Sequence, residues 1–497
     1  MPALGPDDVL AVPVATGAVL PPWLTAAPEP VVDPGLLAGA LADTGNTGRL
    51  RHLTNVPIAG RRPRSVVAVG VGDGALPDVR SYAAGAVRRG QTLAAHGARR
   101  LVLPLDGAVA PAGAAEVRVA VEAALLAGYR FRDSSRAHPP RLATVVVVLA
   151  DAGDPAVAAA ARAAQVAAAA VAWARDLVNT PPSTKNPAWL AEQAVDRLAG
   201  LPHVEVTVLG RAELTAGGFG GVLAVGGGSA APPCVVVAAY RHPDAGPAHP
   251  VVVGTGTTFD TGGLSLTRSA AVRHTKTDTA GGAAVLAAVE AAARLALPVA
   301  VTAVVPVAEN AVSGSSYRPS DVVRHVDGRT TEVRTTVADA RLVLADALAH
   351  ARLRLGATAL VDVAVLTAAA KVALGARTAA LYATTDGLAA VLAAAGAQAG
   401  EPSWRLPLAQ EHEESPDDGV ADATDAPAGP GATTAALFLR PFAGNLPWAH
   451  LDIAGPARAG ADEGELVRGG TGFATRTLLR WLEAGAPVAP GVRQADR

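Results

Sequence analysis

Three aspartates at the ends of predicted strands and helices are the residues of this sequence best suited to chemistry. Asp260 follows a buried strand in the segment Gly254–Gly263, whose glycines indicate a turn at the strand exit. Asp278 and Asp339 each lie at the start of a predicted helix. Three carboxylates on separate elements, without a thiol or a histidine cluster nearby, suit a hard divalent cation. The sequence therefore predicts a candidate metal site at Asp260, Asp278 and Asp339.

Two other interpretations of these residues stay open at this point. Aspartates at helix N-termini commonly cap the helix or offset its dipole, which is an alternative for Asp278 and Asp339. The glycines of Gly254–Gly263 also invite a nucleotide-binding interpretation, because a candidate site lies where a strand of an open α/β sheet ends. That interpretation is the weaker one, since no third glycine opens a helix at the required offset.

The elements that must position these aspartates alternate between strand and helix along the chain, which is typical of α/β domains. A length of 497 residues exceeds what one hydrophobic core usually holds, so we expect two domains. We place an N-terminal α/β domain at 1–153, a connecting helix and linker at 154–190, and a larger domain at 191–497. The Gly-, Pro- and Asp-rich stretch Ser415–Gly431 predicts a long surface loop, and such loops are often functional.

Composition excludes several classes of protein. The 42 basic and 44 acidic residues give a formal charge of -2, and no basic block stands out, so nucleic-acid binding is disfavoured. A single cysteine, Cys234, rules out internal disulfides and cysteine-rich metal sites. The apolar runs are short and interrupted, and the first residues do not resemble a secretory signal. We expect a soluble, cytoplasmic protein without a membrane-spanning segment.

Six motifs follow one another in collinear order over roughly the C-terminal two-thirds of the chain. They are ARDLVNTPPSTKNPAWLAEQA (Ala174–Ala194), VGTGTTFDTGGLSL, KTDTAGGAAV, SYRPSDVV, ARLVLADAL and NLPWAHLDIAGPA (Asn445–Ala457). In these motifs and their order the sequence resembles the leucyl aminopeptidases (cytosol aminopeptidases, peptidase family M17), which are two-metal exopeptidases. The resemblance implies a smaller N-terminal α/β domain and a larger C-terminal α/β/α domain with a central mixed sheet. It also implies a homohexamer built as a dimer of trimers, and a peptide or amino-acid-like ligand.

The resemblance assigns roles to four residues. Asp260 stands at the position of the family's bridging aspartate, and Asp278 at the aspartate of the KxD motif. Asp339 occupies the position of a bridging glutamate, one methylene shorter, so its reach falls short by about 1.5 Å. Arg341 stands where the family arginine holds a bicarbonate thought to act as general base, so Arg341 is the catalytic candidate.

Three positions of the family pattern have lost their chemistry in this sequence. Thr255 replaces a lysine metal ligand, Val337 replaces an aspartate ligand, and Thr267 replaces the lysine that would polarise the scissile carbonyl. Two neighbouring divalent cations need several anionic oxygens to offset their mutual repulsion, and only three carboxylates remain here. We therefore expect at most one divalent cation (Mn or Zn) and no two-metal centre. Losing one electrophilic donor costs roughly 10²–10³ in rate, and the metal pair would be lost as well.

Neighbouring residues can be considered as replacements for the lost groups. Arg268 could supply the charge missing at Thr267, His274 could offer an imidazole to a metal, and Lys371 could be a relocated cation or a solvated charge. A solvated loop histidine is the simpler interpretation of His274, and the sequence does not decide about Lys371. We interpret His450 and Asp452, which share a face of one predicted strand, as structural.

Three functional hypotheses follow from the sequence. The first is an aminopeptidase homologue that retains the family fold but has lost or reduced catalysis, with a binding or scaffolding role. The second is an active metal-dependent aminopeptidase with a rearranged or single-metal site. Nucleic-acid binding, the third, is disfavoured by the near-neutral charge and the 3% aromatic content.

Overall fold

The protein was analysed as a computed structural model, which describes residues 3–25, 31–58, 63–106, 112–135, 140–412 and 419–489. The described residues contain twenty strands and fifteen α-helices. The predicted surface loop Ser415–Gly431 begins outside the described residues, up to position 418.

The strands are β1 (Asp8–Ala15), β2 (Leu53–Pro57), β3 (Ser65–Gly72), β4 (Arg100–Pro104), β5 (Thr144–Val148), β6 (Val204–Leu209), β7 (Cys234–Arg241), β8 (Pro250–Gly254), β9 (Phe259–Asp260), β10 (Ala300–Val307), β11 (Glu309–Asn310), β12 (Val322–Arg324), β13 (Thr330–Glu332), β14 (Ala359–Ala364), β15 (Ala379–Ala383), β16 (Ser403–Arg405), β17 (Ala423–Thr424), β18 (Trp448–Asp452), β19 (Arg458–Ala459) and β20 (Gly469–Gly470).

The helices are α1 (Pro22–Thr25), α2 (Pro34–Thr44), α3 (Leu76–Ala94), α4 (Ala114–Gly128), α5 (Pro155–Asn179), α6 (Pro187–Leu198), α7 (Arg211–Gly217), α8 (Gly220–Gly226), α9 (Ser269–Val272), α10 (Ala280–Arg294), α11 (Asp339–Arg354), α12 (Ala368–Leu374), α13 (Asp386–Ala399), α14 (Gly431–Ala443) and α15 (Thr475–Glu483). Three short 3₁₀ turns lie at Gly263–Ser265, Thr275–Thr279 and Gln410–His412.

The chain divides into two compact units, and the first comprises Met1–Ala169 together with Ala461–Val467. Its five-stranded sheet has the order β2, β3, β1, β4, β5, and only the β2–β3 pair is antiparallel. Helices α3 and α4 pack together over one apolar core, and α2 contributes to a second core. Arg88 donates hydrogen bonds to the carbonyl oxygens of Gly464 and Leu466, which attaches the distant segment to this unit.

The second unit, Ala170–Gly460 with Arg468–Arg497, is built on an eight-stranded mixed sheet. The strand order is β16, β15, β18, β14, β8, β10, β7, β6. The four central strands β18, β14, β8 and β10 are parallel, and the pairs β10–β7, β6–β7 and β15–β18 are antiparallel. Helices α10 and α11 both pack on the central strands, α10 beside α15 and α11 beside α8 and α14. This α/β/α arrangement with a mixed sheet confirms the predicted fold class.

Parallel central strands bring their carboxyl ends to one edge of the sheet, and the candidate residues follow those ends. Asp260 comes six residues after the end of β8, Asn310 comes three residues after the end of β10, and Asp452 is the last residue of β18. Open α/β sheets place ligands outside this edge. Asp339, as predicted, is the first residue of a helix, α11.

Helix α5 is the one helix of the described residues that is long and apolar enough to cross a membrane, judged by length and composition alone. Its buried residues include Ala164, Ala167, Val171, Ala174 and Val178, which recur at three- and four-residue intervals. That spacing is typical of a helix with one face in a protein core.

Glycines allow α10 to begin directly on the end of β8. A Cβ atom on Gly281 would lie 1.9 Å from the carbonyl oxygen of Val363, and one on Gly254 would lie 2.3 Å from that of Gly281. The amide of Gly282 donates to the carbonyl oxygen of Thr255 at 2.7 Å. The turn that carries Asp278 is therefore fixed by backbone-to-backbone contact.

This packing predicts that Gly281→Ala destabilises the second unit by about 1–3 kcal/mol, because backbone atoms must separate to admit the methyl group. Gly314→Ala is the matched control, since a Cβ there would meet nothing within 4 Å. Urea unfolding of both variants measures the difference. Equal stabilities of the two variants would show that α10 does not depend on this close approach.

Candidate functional site

Asp260 is buried and accepts hydrogen bonds at the end of the central sheet. Its side chain is 6% exposed, and its Oδ1 accepts hydrogen bonds from the Gly262 amide and from Nδ2 of Asn310, each at 2.7 Å. The same Asn310 amide donates to the carbonyl oxygen of Thr336 at 2.9 Å. The loop after β8 and the loop before α11 are thereby joined through one asparagine.

Asp339 and Asp278 are held near Asp260 by threonines. Oδ2 of Asp339 accepts a hydrogen bond from the Thr257 hydroxyl at 3.3 Å, and Asp339 is 4% exposed. The Thr255 hydroxyl donates to the backbone carbonyl of Asp278 at 3.0 Å. Thr255 is fully buried, so its hydroxyl supports the turn that carries Asp278.

The three aspartates interact through their charges: that of Asp260 acts on Asp278 and Asp339, and that of Asp278 acts on Asp339. Burial raises the pKa of Asp260 to about 6, against the stabilising hydrogen bonds from Gly262 and Asn310. Burial and the charge of Asp260 raise the pKa of Asp278 well above its usual value, and Lys185 acts in the opposite direction. Burial and both other aspartates raise the pKa of Asp339. The structure thus brings the three predicted residues together in one acidic site.

Arg341 lies on α11, and carboxylates of the chain itself offset its positive charge. Its guanidinium donates a hydrogen bond to the backbone carbonyl of Asp425. Burial lowers the pKa of Arg341, while the charges of Asp425 and Asp452 act to raise it. The arginine, two residues along the chain from Asp339, is therefore held in place by Asp425 and Asp452.

The three positions that the sequence marks as altered carry no charge in the structure. Val337 is 47% exposed. The backbone amide of Thr267 donates to the carbonyl oxygen of Thr261 at 2.8 Å, which closes the loop on itself. Among the residues considered as replacements, Arg268, His274 and Lys371 are all exposed, and Nε2 of His274 accepts a hydrogen bond from the neighbouring Arg273 at 3.1 Å.

His450 and Asp452 take part in separate hydrogen-bond networks within the sheet. His450 is fully buried, and its Nδ1 lies 2.5 Å from Oδ1 of Asp362. Oδ2 of Asp362 accepts from the Trp448 indole at 2.7 Å. Asp452 accepts from the Thr367 hydroxyl at 2.7 Å. The charge of Asp452 also acts on Arg341.

Three residues of the site escaped the sequence reasoning. Asn310 holds Asp260, Lys185 is a fully buried lysine beside Asp278, and Asp425 is a fully buried carboxylate beside Arg341. Burial raises the pKa of Asp425 to about 6, and its Oδ1 accepts a hydrogen bond from the Arg334 amide at 2.7 Å. Asp425 lies in the stretch predicted as a functional loop, which was the available signal. For Lys185, the sequence feature that could have pointed to a special role is that lysine is rare in this chain.

The donor set does not fit a pair of divalent cations. Three carboxylates remain, the Thr255 hydroxyl is used by a backbone carbonyl, and Val337 offers no oxygen. Within the described ranges, no group of three or more histidine, cysteine, aspartate or glutamate side chains is arranged to hold a metal ion. Carboxylate oxygens are chemically suitable ligands for a single hard cation. Binding of such a cation requires the side chains of Asp260, Asp278 and Asp339 to point toward one ion.

Comparison with known proteins identifies related sequences and structures. The pattern of the cytosol aminopeptidase family, catalytic domain (M17), matches residues 172–479. A probable cytosol aminopeptidase of Streptomyces griseus is 42% identical over 96% of this chain and 95% of its own length, and one of Syntrophotalea carbinolica is 41% identical over 86% of each.

Solved structures are similar over nearly the whole chain. The bottromycin maturation enzyme BotP in complex with Mn is 37% identical, with a TM-score of 0.84 over 97% of this chain and 100% of BotP. A mutant form of tomato leucine aminopeptidase is 27% identical, with a TM-score of 0.85 over 97% of this chain and 94% of its own.

The acidic site predicts a pH-dependent stability of the metal-free protein. Asp260 has a folded pKa of about 6 against an ordinary value of 3.8, so the folded state binds the proton more tightly than the unfolded state. Stability from this group is therefore present at low pH and is lost as the pH rises through about 6, by up to about 3 kcal/mol.

Asp260→Asn removes this charge and keeps an oxygen for Gly262 and Asn310. In the presence of EDTA we expect the variant to unfold at a higher temperature than the wild type near pH 8, and the difference to vanish near about pH 4. Thermal unfolding across this range measures it. A variant less stable than the wild type near pH 8 would contradict a pKa of Asp260 raised by burial.

Proposed function

The chain belongs to the cytosol aminopeptidase family (M17), and from that premise we propose that it is a member with reduced or lost peptidase activity. In this proposal the protein binds a peptide or amino-acid-like ligand and has a binding or scaffolding role. It retains at most one divalent cation, Mn or Zn, at Asp260, Asp278 and Asp339. We also propose a cytoplasmic location, as for relatives named cytosol aminopeptidases, and assembly as a homohexamer.

One observation supports the proposal above the others: the hydroxyl of Thr255 donates to the carbonyl oxygen of Asp278. A side chain at the position of a metal-binding lysine is thus used to build the turn. Thr267 and Val337 likewise supply no charge at the two other altered positions. Ordinary drift in this Arg-rich chain would replace lysine by arginine and keep the charge, so the threonines indicate relaxed demand for catalysis.

The residues that remain can bind and orient a ligand without a metal pair. Asp260, with a pKa of about 6, is ionised at neutral pH and suits the protonated amino group of a peptide N-terminus, and Asp278 and Asp339 offer further carboxyl oxygens as acceptors. Arg341, two residues after Asp339 in the chain, supplies a positive charge against Asp425 and Asp452. These residues can therefore bind both the positive amino group and the negative carboxylate of an amino-acid-like molecule.

An active aminopeptidase with a rearranged or single-metal site is the second candidate. It is supported by identities of about 40% to cytosol aminopeptidases and by the Mn complex of BotP. Hydrolysis of leucine-p-nitroanilide with added Mn²⁺, Zn²⁺ or Co²⁺ distinguishes the two candidates. Robust turnover by purified protein that contains two ions per chain would reject the proposal of lost catalysis.

The proposal predicts that activity is limited by the altered positions acting together. Wild-type protein should fall at least about 10²-fold below the Streptomyces griseus relative assayed in parallel, since one lost electrophile alone has an effect of that order. Restoring Thr255→Lys, Thr267→Lys, Val337→Asp and Asp339→Glu together should raise kcat/KM, whereas single reversions should do little, because such residues act as a unit.

The same four substitutions combined with Asp260→Asn are the control for this test. The variant with all five substitutions should lose the gain in kcat/KM, because Asp260, a retained candidate metal ligand, is removed while the restored residues stay. If the variant with the four restoring substitutions is folded but no more active than the wild type, the altered positions do not limit catalysis.

A further inference from the structure

A buried lysine lies beside the acidic site. Lys185 is in the turn between α5 and α6, and none of its side chain is exposed. Its Nζ donates to the carbonyl oxygen of Val178 at 3.2 Å and to that of Lys276 at 2.6 Å. Lys276 is two residues before Asp278, so the ammonium group is fixed against the turn that carries this aspartate.

A second lysine makes the reciprocal contact. Nζ of Lys276 donates to the carbonyl oxygen of Asn179 at 2.5 Å, and Oδ1 of Asn179 accepts from the Gly470 amide at 2.8 Å. The end of α5 and the turn Thr275–Thr279 are thereby cross-linked in both directions. The sequence has only three lysines, and two of them meet here.

The charge of Lys185 acts on Asp278. Burial and the charge of Lys276 lower the pKa of Lys185 to about 7, and Asp278 acts to raise it. Lys185 in turn lowers the pKa of Asp278. A buried ammonium group is costly unless carbonyl oxygens and an opposite charge compensate it, and both kinds of compensation are present.

We propose that Lys185 is a resident cation of the acidic site: its ammonium group, held by the carbonyl oxygens of Val178 and Lys276, offsets negative charge at Asp278 and so opposes the binding of a divalent cation there. This inference rests on the proposed function in that it concerns the same three carboxylates. It makes Lys185 a residue that sets the preference of the site for metal-free or metal-bound states.

Lys185→Met tests the inference, because methionine keeps most of the side-chain volume and removes the charge. Metal-free protein titrated calorimetrically with MnCl₂ near pH 6, where Lys185 with its pKa of about 7 carries the proton, should bind Mn²⁺ severalfold more tightly in the variant than in the wild type, since one repelling charge is gone. Lys371→Met, a change at an exposed lysine, is the control and should bind as the wild type does. Unchanged or weaker Mn²⁺ binding by Lys185→Met overturns the inference.

A double-mutant cycle with Asp278→Asn keeps the test decisive where the single variant is poorly stable. In EDTA, the free energies of unfolding of Lys185→Met, Asp278→Asn and the double variant should be non-additive, with the double variant less destabilised than the sum of the two. Additive effects would mean that the two charges do not interact, and would refute the inference.

The outcomes separate this inference from the proposed function. If wild-type protein binds no Mn²⁺ and Lys185→Met does, the resident cation is supported, and the proposed limit of at most one cation in the wild type stands as well. If wild-type protein binds two Mn²⁺ ions per chain, the proposed function fails, and the comparison with Lys185→Met still decides the role of Lys185.

Discussion

Repulsion among three carboxylates is the interaction on which this site depends. Asp260, Asp278 and Asp339 lie near one another at the carboxyl ends of the central strands. Burial raises the pKa of each, and the charge of Asp260 adds to this at Asp278 and Asp339. Protons, a divalent cation or positive side chains can relieve that repulsion. The structure supplies a positive group of its own, Lys185 beside Asp278, together with hydrogen-bond donors from threonine and asparagine.

The fold explains why such a costly cluster persists. Parallel strands direct the loops after β8 and β10 to one edge, and the contact of Gly254 with Gly281 fixes the start of α10 against β8. This packing involves the backbone of Thr255, whose carbonyl oxygen accepts from the Gly282 amide, and so does not depend on a lysine side chain at that position. In our account, a chain can lose metal-binding residues in its loops and still place the remaining carboxylates together, because the sheet and its helices position them.

Much of this arrangement could be predicted from the sequence, and the rest depends on distant contacts. The alternation of strand and helix indicated the α/β fold, and collinear motifs pointed to Asp260, Asp278, Asp339 and Arg341. Lys185 could not be assigned, because its partner Lys276 is 91 residues away, and Arg341 meets the Asp425 carbonyl across 84 residues. Local patterns contain no information on such pairs. The attachment of Ala461–Val467 to the first unit likewise depends on distant arginines.

The central claim is that this chain has too few anionic oxygens to hold two cations side by side. Anomalous diffraction from crystals grown with excess MnCl₂ tests it most directly, because each bound Mn²⁺ gives its own peak. We predict no more than one peak among the three aspartates. Two neighbouring peaks at full occupancy would contradict the account, whichever side chains coordinate them.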